Sequence, residues 1–286
     1  MIPPRTILAP IDFSDASRLS LECAARLAAR WSAALHVMHA IDPLLAAAAG
    51  SRRVDLAGST RDELVAFSAD AAWAGPLAGA HVTVGAAAES ICETAERLGA
   101  DLIVTGARGL TGLNRLVMGT TVEHVIRRST RPVLTVPGHR PSADSAICGP
   151  VIAAVEHPDD PGLVAAAAAL AASLDAPLHV VHVVPPLAAP ARWRAEADTV
   201  IHASVEDARR RLSAAMGALG PAPANVHVTT GPVADTLAAE VSRHSDGMAV
   251  LMLGRNPPGG GYAPGSVASR VIARATAAVW VHLPDA

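Results

Sequence analysis

The sequence predicts two tandem α/β domains, each a doubly wound parallel sheet with helices on both faces. Three observations lead there. Short unbroken runs of Val, Ile and Leu alternate with stretches of helical periodicity, the pattern of strands buried on both faces and joined by helical crossovers. The halves repeat: Leu35-His-Val-Met-His39 returns as Leu178-His-Val-Val-His182, and Gly119-Thr120 as Gly265-Ser266. The 286 residues therefore divide into copies of about 140, near the commonest domain size.

In the first copy the strands are expected at Thr6–Ile11, Leu35–Ala40, His81–Val84, Asp101–Thr105 and Pro132–Val136. The helix after the first strand starts from Ser14 or Asp15 as its cap. It carries Ala24, Leu27, Ala28 and Trp31 at i, i+3, i+4 and i+7, a single apolar stripe. A glycine-rich stretch follows the fourth strand, and a helical pattern, Thr121 to Arg128, follows that. Right-handed crossovers then wind the layers. The polar, Pro-containing segment Gly138–Ser145 reads as the linker, between domains at 1–140 and 147–286. The longest apolar stretch, Leu163 to Leu174, is too short to span a bilayer and reads as a buried helix face.

Composition narrows the chemistry. Hydrophobic residues make up 51% but aromatics only 2%, so the core is built from Ala, Val, Leu and Ile. A net charge of −3 gives no long-range attraction to nucleic acid or to an anionic membrane. The chain contains no lysine, which removes a Walker A loop, Schiff-base catalysis and the Ser-x-x-Lys arrangement. Cys23, Cys92 and Cys148 are isolated and fit a reducing compartment, with Cys23 and Cys92 expected as small core residues. Met1-Ile-Pro-Pro-Arg5 shows no signal-peptide apolar region, so the expected location is the cytoplasm.

From Gly106 the chain reads Gly-Ala-Arg-Gly109, then nine residues, then Gly119-Thr120. Glycines between a strand and a helix let backbone N–H groups approach an anion, and the helix aims its free N–H groups and positive dipole end at the same point. This is a candidate phosphate cradle. The spacing G-x2-G-x9-G-[ST], with Ile7-Leu-Ala-Pro-Ile-Asp12, Leu35-His-Val-Met-His-Ala-Ile-Asp42 and Arg131-Pro-Val-Leu-Thr-Val-Pro137, resembles the nucleotide-binding branch of the universal stress protein family. The resemblance is strong in the first half and weaker in the second. It implies five-stranded sheets of order 3-2-1-4-5, a site for ATP (or ADP or AMP) with Mg²⁺ on the phosphates, and a nucleotide-responsive role in the stress response. It also implies that the two domains pack as a pseudo-dimer through their last strands, with further homodimers open.

In that strand order the crevice lies between strands one and four, at their carboxyl ends. Asp12 and the glycine loop converge there, with Pro10 and Gly106 closing the strands. Asp12 either caps the following helix or serves the ligand, by bonding ribose hydroxyls or by helping to hold a metal. Thr120-Thr-Val-Glu123 also reads as a capping box, with Thr120 bonding the helix. The N–H groups of Gly119, Thr120 and Thr121 would stay available to phosphate in either case. Arg108 and Arg115 are placed to pair with phosphates as planar forks. By resemblance, Ala40 meets the adenine through its backbone and Thr105 lines the pocket.

His36 and His39 lie three apart on a strand and point to opposite faces, so they cannot share a metal; the same holds for His179 and His182. The second copy departs from the motif. Glu156 replaces Asp12, and Pro257, which has no N–H to donate, replaces the second glycine. That site is expected to be weak. Two alternatives stand beside the nucleotide-responsive regulator: a slow ATPase or nucleotidyl-transfer enzyme, and a protein-binding scaffold that takes no nucleotide.

Overall fold

The computed structural model describes residues 3–52, 54–69, 77–107, 118–138, 149–158, 161–218, 224–243, 248–255 and 266–283. One compact unit holds Pro3–Arg140 and the other Pro141–Ala286. The first runs β1 (Thr6–Pro10), α1 (Asp15–Trp31), β2 (Ala34–Ile41), α2 (Pro43–Ser51), α3 (Leu56–Ala69), β3 (Gly79–Val84), α4 (Ala87–Leu98), β4 (Leu102–Gly106), α5 (Thr120–Arg128) and β5 (Val133–Val136). The second runs β6 (Val151–Ala154), α6 (Pro161–Leu174), β7 (Leu178–Val184), α7 (Arg194–Ala218), β8 (Ala224–Thr230), α8 (Val233–Ser242), β9 (Val250–Gly254), α9 (Val267–Arg274) and β10 (Ala278–His282).

Within the first unit the strands pair in the order β3-β2-β1-β4-β5, all parallel. Within the second they pair as β8-β7-β6-β9-β10, again all parallel. Each unit thus has the order 3-2-1-4-5. Central strands are apolar throughout because helices cover both faces: Ile7, Leu8 and Ala9 of β1 are fully buried, as are Leu102, Ile103 and Val104 of β4. The edge strand β3 is only half-buried along most of its length. It begins at Gly79, two residues before its first predicted residue.

Helix α1 packs on β1, β4 and β5, α3 on β2 and β3, and α4 on β1 and β2. Right-handed crossovers put α1 and α3 on one face, and α4 and α5 on the other. Ser14, not Asp15, is the N-cap of α1; its hydroxyl accepts the Ser17 N–H at 3.2 Å. Asp15 sits in the first turn, where the dipole favours a negative charge. One glycine is required by close approach: a Cβ on Gly106 would lie 3.0 Å from the Ala16 carbonyl oxygen and 3.1 Å from its carbon. The end of β4 therefore touches the first turn of α1, directly beside the crevice.

The apolar run of the second copy forms α6, which buries Leu163, Val164, Ala166, Ala167, Leu170, Ala171 and Leu174. Among the described residues no helix is long and apolar enough to cross a membrane. Cys23 is buried as expected, and burial pushes its thiol up to about 12. Cys92 is a correction: it is half-buried on α4 rather than a core residue. Cys148, and the predicted linker beyond Gly138, lie outside the described residues.

Candidate functional site

At the carboxyl end of β1 the ladder continues one residue past the strand, the Ile11 N–H donating to the Met38 carbonyl at 2.8 Å. Asp12 follows, then Phe13 with φ 62°, a left-handed conformation unusual for a bulky side chain. The surroundings hold it there. The Phe13 ring packs edge-on against Phe67 of α3 at 5.5 Å and against His39 of β2 at 4.9 Å, and the Arg18 guanidinium lies 4.1 Å over Phe67. These are the only two phenylalanines in the chain. The sharp turn at Phe13 lets the chain pass from strand to helix while Asp12 stays at the crevice. Sequence periodicity carries no signal for such a turn.

Asp12 does not cap the helix itself. Its Oδ1 accepts the Ser14 N–H at 3.1 Å and the Ser14 hydroxyl at 2.5 Å, and Ser14 makes the cap. Asp12 therefore positions the capping residue. His39 is held in place too: its Nδ1 donates to the Ile11 carbonyl at 2.7 Å, as His182 does to Val155 at 2.8 Å in the second unit. A carbonyl only accepts, so Nδ1 carries the proton in both.

The opposite wall is the junction of β4 and α5. The Ala107 N–H donates to Val136 at 2.8 Å, and the Gly119 N–H donates to Ala107 at 3.2 Å. The loop thus leaves and returns at one point. Helix α5 starts at Thr120, with Gly119 as an N-cap that has no side-chain hydrogen bond. This corrects two expectations. The capping box does not form, because Thr120 lies inside the helix rather than at its cap. Gly119 is not an available donor either, since its N–H is engaged by Ala107. The first helical bond is Glu123 N–H to Gly119 at 3.0 Å, so Thr120, Thr121 and Val122 are the residues whose N–H groups have no intrahelical acceptor.

Between these walls lies a cavity of about 230 Å³ lined by Pro10, Ile11, Asp12, Ser17, Met38, His39, Ala40, Ala87, Ile91, Thr105, Gly106, Gly119, Thr120, Thr121 and Val122. Pro10, Asp12, Ala40, Thr105, Gly106, Gly119, Thr120 and Thr121, all singled out in the sequence, meet in this one space. Arg108, Gly109 and Arg115 lie outside the described residues. The apolar wall of Met38, Ala87, Ile91 and Val122 was not legible in sequence. Its residues come from three separate elements and are ordinary core types. Among the described residues no three His, Cys, Asp or Glu side chains are grouped to hold a metal.

The second unit differs at the matching point. Ser266 caps α9, its hydroxyl accepting the Ser269 N–H at 3.3 Å. Glu156 is exposed, and Pro257 lies outside the described residues. The same helix start that is uncapped by any side chain in the first unit is closed by its own serine in the second.

The chain matches the universal stress protein family twice, over residues 4–137 and 149–282. It belongs to the universal stress protein family. The two matched segments correspond to the two units, so the chain is a tandem member. A universal stress protein of Thermus aquaticus is 32% identical over 139 residues, 46% of this chain and 98% of its own length. Universal stress protein MJ0577 of Methanocaldococcus jannaschii is 40% identical over 55 residues, 19% of this chain. That match spans only 34% of the archaeal protein. Among solved structures, the functionally unknown protein PA1789 from Pseudomonas aeruginosa PAO1 superposes with a TM-score of 0.68 at 18% identity, over 99% of this chain and 93% of its own. At that identity the likeness concerns the fold.

Proposed function

We propose that the first unit of this universal stress protein binds an adenine nucleotide, ATP or its diphosphate or monophosphate, and that the chain acts as a nucleotide-responsive factor. One observation carries the reading. The cavity at the strand switch point is walled on one side by an α5 N-terminus that no side chain caps, with Thr120, Thr121 and Val122 presenting their N–H groups. Such a terminus combines free donors with the positive end of the helix dipole and suits a phosphate. The apolar wall from Met38, Ala87 and Ile91 suits a flat base, and Asp12 lines the cavity at the first strand's end. Mg²⁺ would be held mainly by phosphate oxygens, with Asp12 the carboxylate nearest to hand. In the second unit Ser266 occupies the helix start, which supports one working site per chain.

The test is to denature freshly purified protein, identify any released nucleotide by chromatography, and titrate the stripped protein with ATP and Mg²⁺. One adenine nucleotide per chain, released or bound in titration, is the expected result. Two per chain would refute the assignment of a single site. No release and no saturable binding would refute the nucleotide reading and leave the protein-binding scaffold. Steady-state turnover of ATP that disappears in Asp12→Ala would favour the enzyme instead.

A further inference from the structure

The sheet edge of the first unit carries a second pair of potential ligands, remote from the cavity wall. His36 of β2 is in register with Gly79 of β3, which makes His81 its diagonal neighbour on the same face. The His36 Nδ1 and His81 Nε2 stand 3.1 Å apart, with the rings tilted by 33°. Neither residue lines the nucleotide cavity. Gly79 keeps the space between them open: a Cβ there would meet both of these nitrogens at 3.0 Å. His36 and His39 lie on opposite faces of β2, and the partner of His36 comes from the neighbouring strand.

We propose that His36 and His81 form a two-imidazole site for a first-row divalent transition ion of the Zn²⁺ class. Two imidazole nitrogens at about 2.0–2.1 Å from one tetrahedral ion lie roughly 3.3 Å apart. The observed separation therefore needs only a small ring adjustment in distance, with the ion replacing the hydrogen bond between the two nitrogens and the donor ring carrying its proton on its other nitrogen instead. Both rings are held below the usual histidine range, chiefly by burial. Arg97 adds to this at His36, and the His36 ring, Arg97 and Arg61 add to it at His81. Both rings are therefore uncharged at neutral pH, and each has one nitrogen able to ligate once the donor of the pair has moved its proton to its other ring nitrogen. The two arginines oppose a cation, so the site selects ions with strong imidazole affinity over Mg²⁺. Solvent fills the remaining positions, as suits a half-buried edge strand, and the ion exchanges freely.

The second unit repeats the diagonal, with His179 in register with Asn225 and His227 two residues further on. There the His227 Nδ1 lies 3.0 Å from the Glu240 carboxylate. At the position of Glu240 the first unit has Thr94, matched at the same 146-residue offset as Gly119 and Gly265. His227 thus has a carboxylate partner at 3.0 Å, whereas His81 is hydrogen-bonded to His36.

The experiment titrates Zn²⁺ into chelator-stripped, nucleotide-free full-length protein. It is followed by calorimetry and by long-range proton–nitrogen correlation of the imidazole rings. Saturable shifts of the His36 and His81 ring nitrogens are expected. His36→Gln and His81→Gln should each weaken that site by at least about tenfold, the lower end of what losing a mere supporting group costs a metal site. His202→Gln, on the exposed face of α7, should leave it unchanged. Ring resonances of wild-type His36 and His81 that do not move with Zn²⁺ would overturn the proposal without recourse to any variant. So would an affinity unchanged in folded His81→Gln.

Discussion

Replacing Thr120 by proline separates the backbone donor at the α5 N-terminus from everything else there. Thr120 is the first residue of α5, and Gly119 before it has φ −63° and ψ 137°. Proline is favoured at the first helical position, where its N–H has no intrahelical acceptor, and an extended residue is what proline prefers before it. Thr120→Pro should thus leave the helix intact, with the thermal midpoint of the nucleotide-free protein within about 2 °C of wild type. It removes one of the three N–H groups facing the cavity. A hydrogen bond to a charged group is worth about 1.5–3 kcal/mol, which converts to roughly a 10- to 150-fold loss of ATP affinity. Thr120→Ala keeps the N–H and should bind ATP within about fivefold of wild type, since a lost neutral hydroxyl contact costs ~0.5–1 kcal/mol. Adenosine, lacking phosphates, should bind Thr120→Pro and wild type alike. The assay is calorimetric titration of the three proteins with ATP–Mg²⁺ and with adenosine. Undiminished ATP affinity in folded Thr120→Pro would refute the cradle, and an equal loss in Thr120→Ala would move the contact to the hydroxyl.

Three further outcomes follow from the geometry. Ser266→Ala should destabilise the protein by about 1 kcal/mol in urea titration, the usual cost of losing an N-cap, whereas Thr120→Ala should be nearly neutral; equal effects would contradict the different caps of α9 and α5. Gly106→Ala should cost about 1–3 kcal/mol by overpacking against Ala16 and weaken nucleotide binding by displacing α1 from β4; an unchanged melting temperature would show that the two elements do not touch. Stability should also depend on pH through His36 and His81. Their folded-state pKa values lie below the unfolded value of 6.5, so the unfolded chain binds more protons in that interval. The stability they contribute is present above about 6.5 and is lost as pH falls through their folded values. The charged groups acting on the pair are Arg97 of α4 and Arg61 of α3, and both favour the neutral rings. Denaturant midpoints between pH 7.5 and 5 should fall less in a His36→Gln, His81→Gln double variant; the same slope in both proteins would remove the pair as the cause.

Strand positions were legible because each central strand is apolar on both faces, so β1 and β4 appear as unbroken runs whatever surrounds them. The strand order came with the family resemblance, since hydrophobic pattern is the same for any arrangement of buried strands. At the site, Asp12 and Gly119 were legible from type and spacing. Their roles were not. A hydroxyl, a carboxylate and a backbone N–H at a helix start compete for the same partners, and distances of a few tenths of an ångström choose among them. Ser14 caps α1, Asp12 holds Ser14, and the Gly119 N–H turns back to Ala107.

By itself, then, the sequence determined the family, the duplication, the α/β layering and the meeting of Asp12 with Gly119 and Thr120 at the first crevice. Each depends on composition, periodicity or motif spacing, which are properties of the chain in one dimension. Tertiary structure alone decided that Thr120 lies inside its helix while its counterpart Ser266 caps one. It also decided that Phe13 adopts a left-handed turn against Phe67, and that His36 faces His81 rather than His39. Those outcomes depend on which strands lie side by side and in what register, and on how the backbone enters each helix, and none of these leaves a periodic trace in sequence.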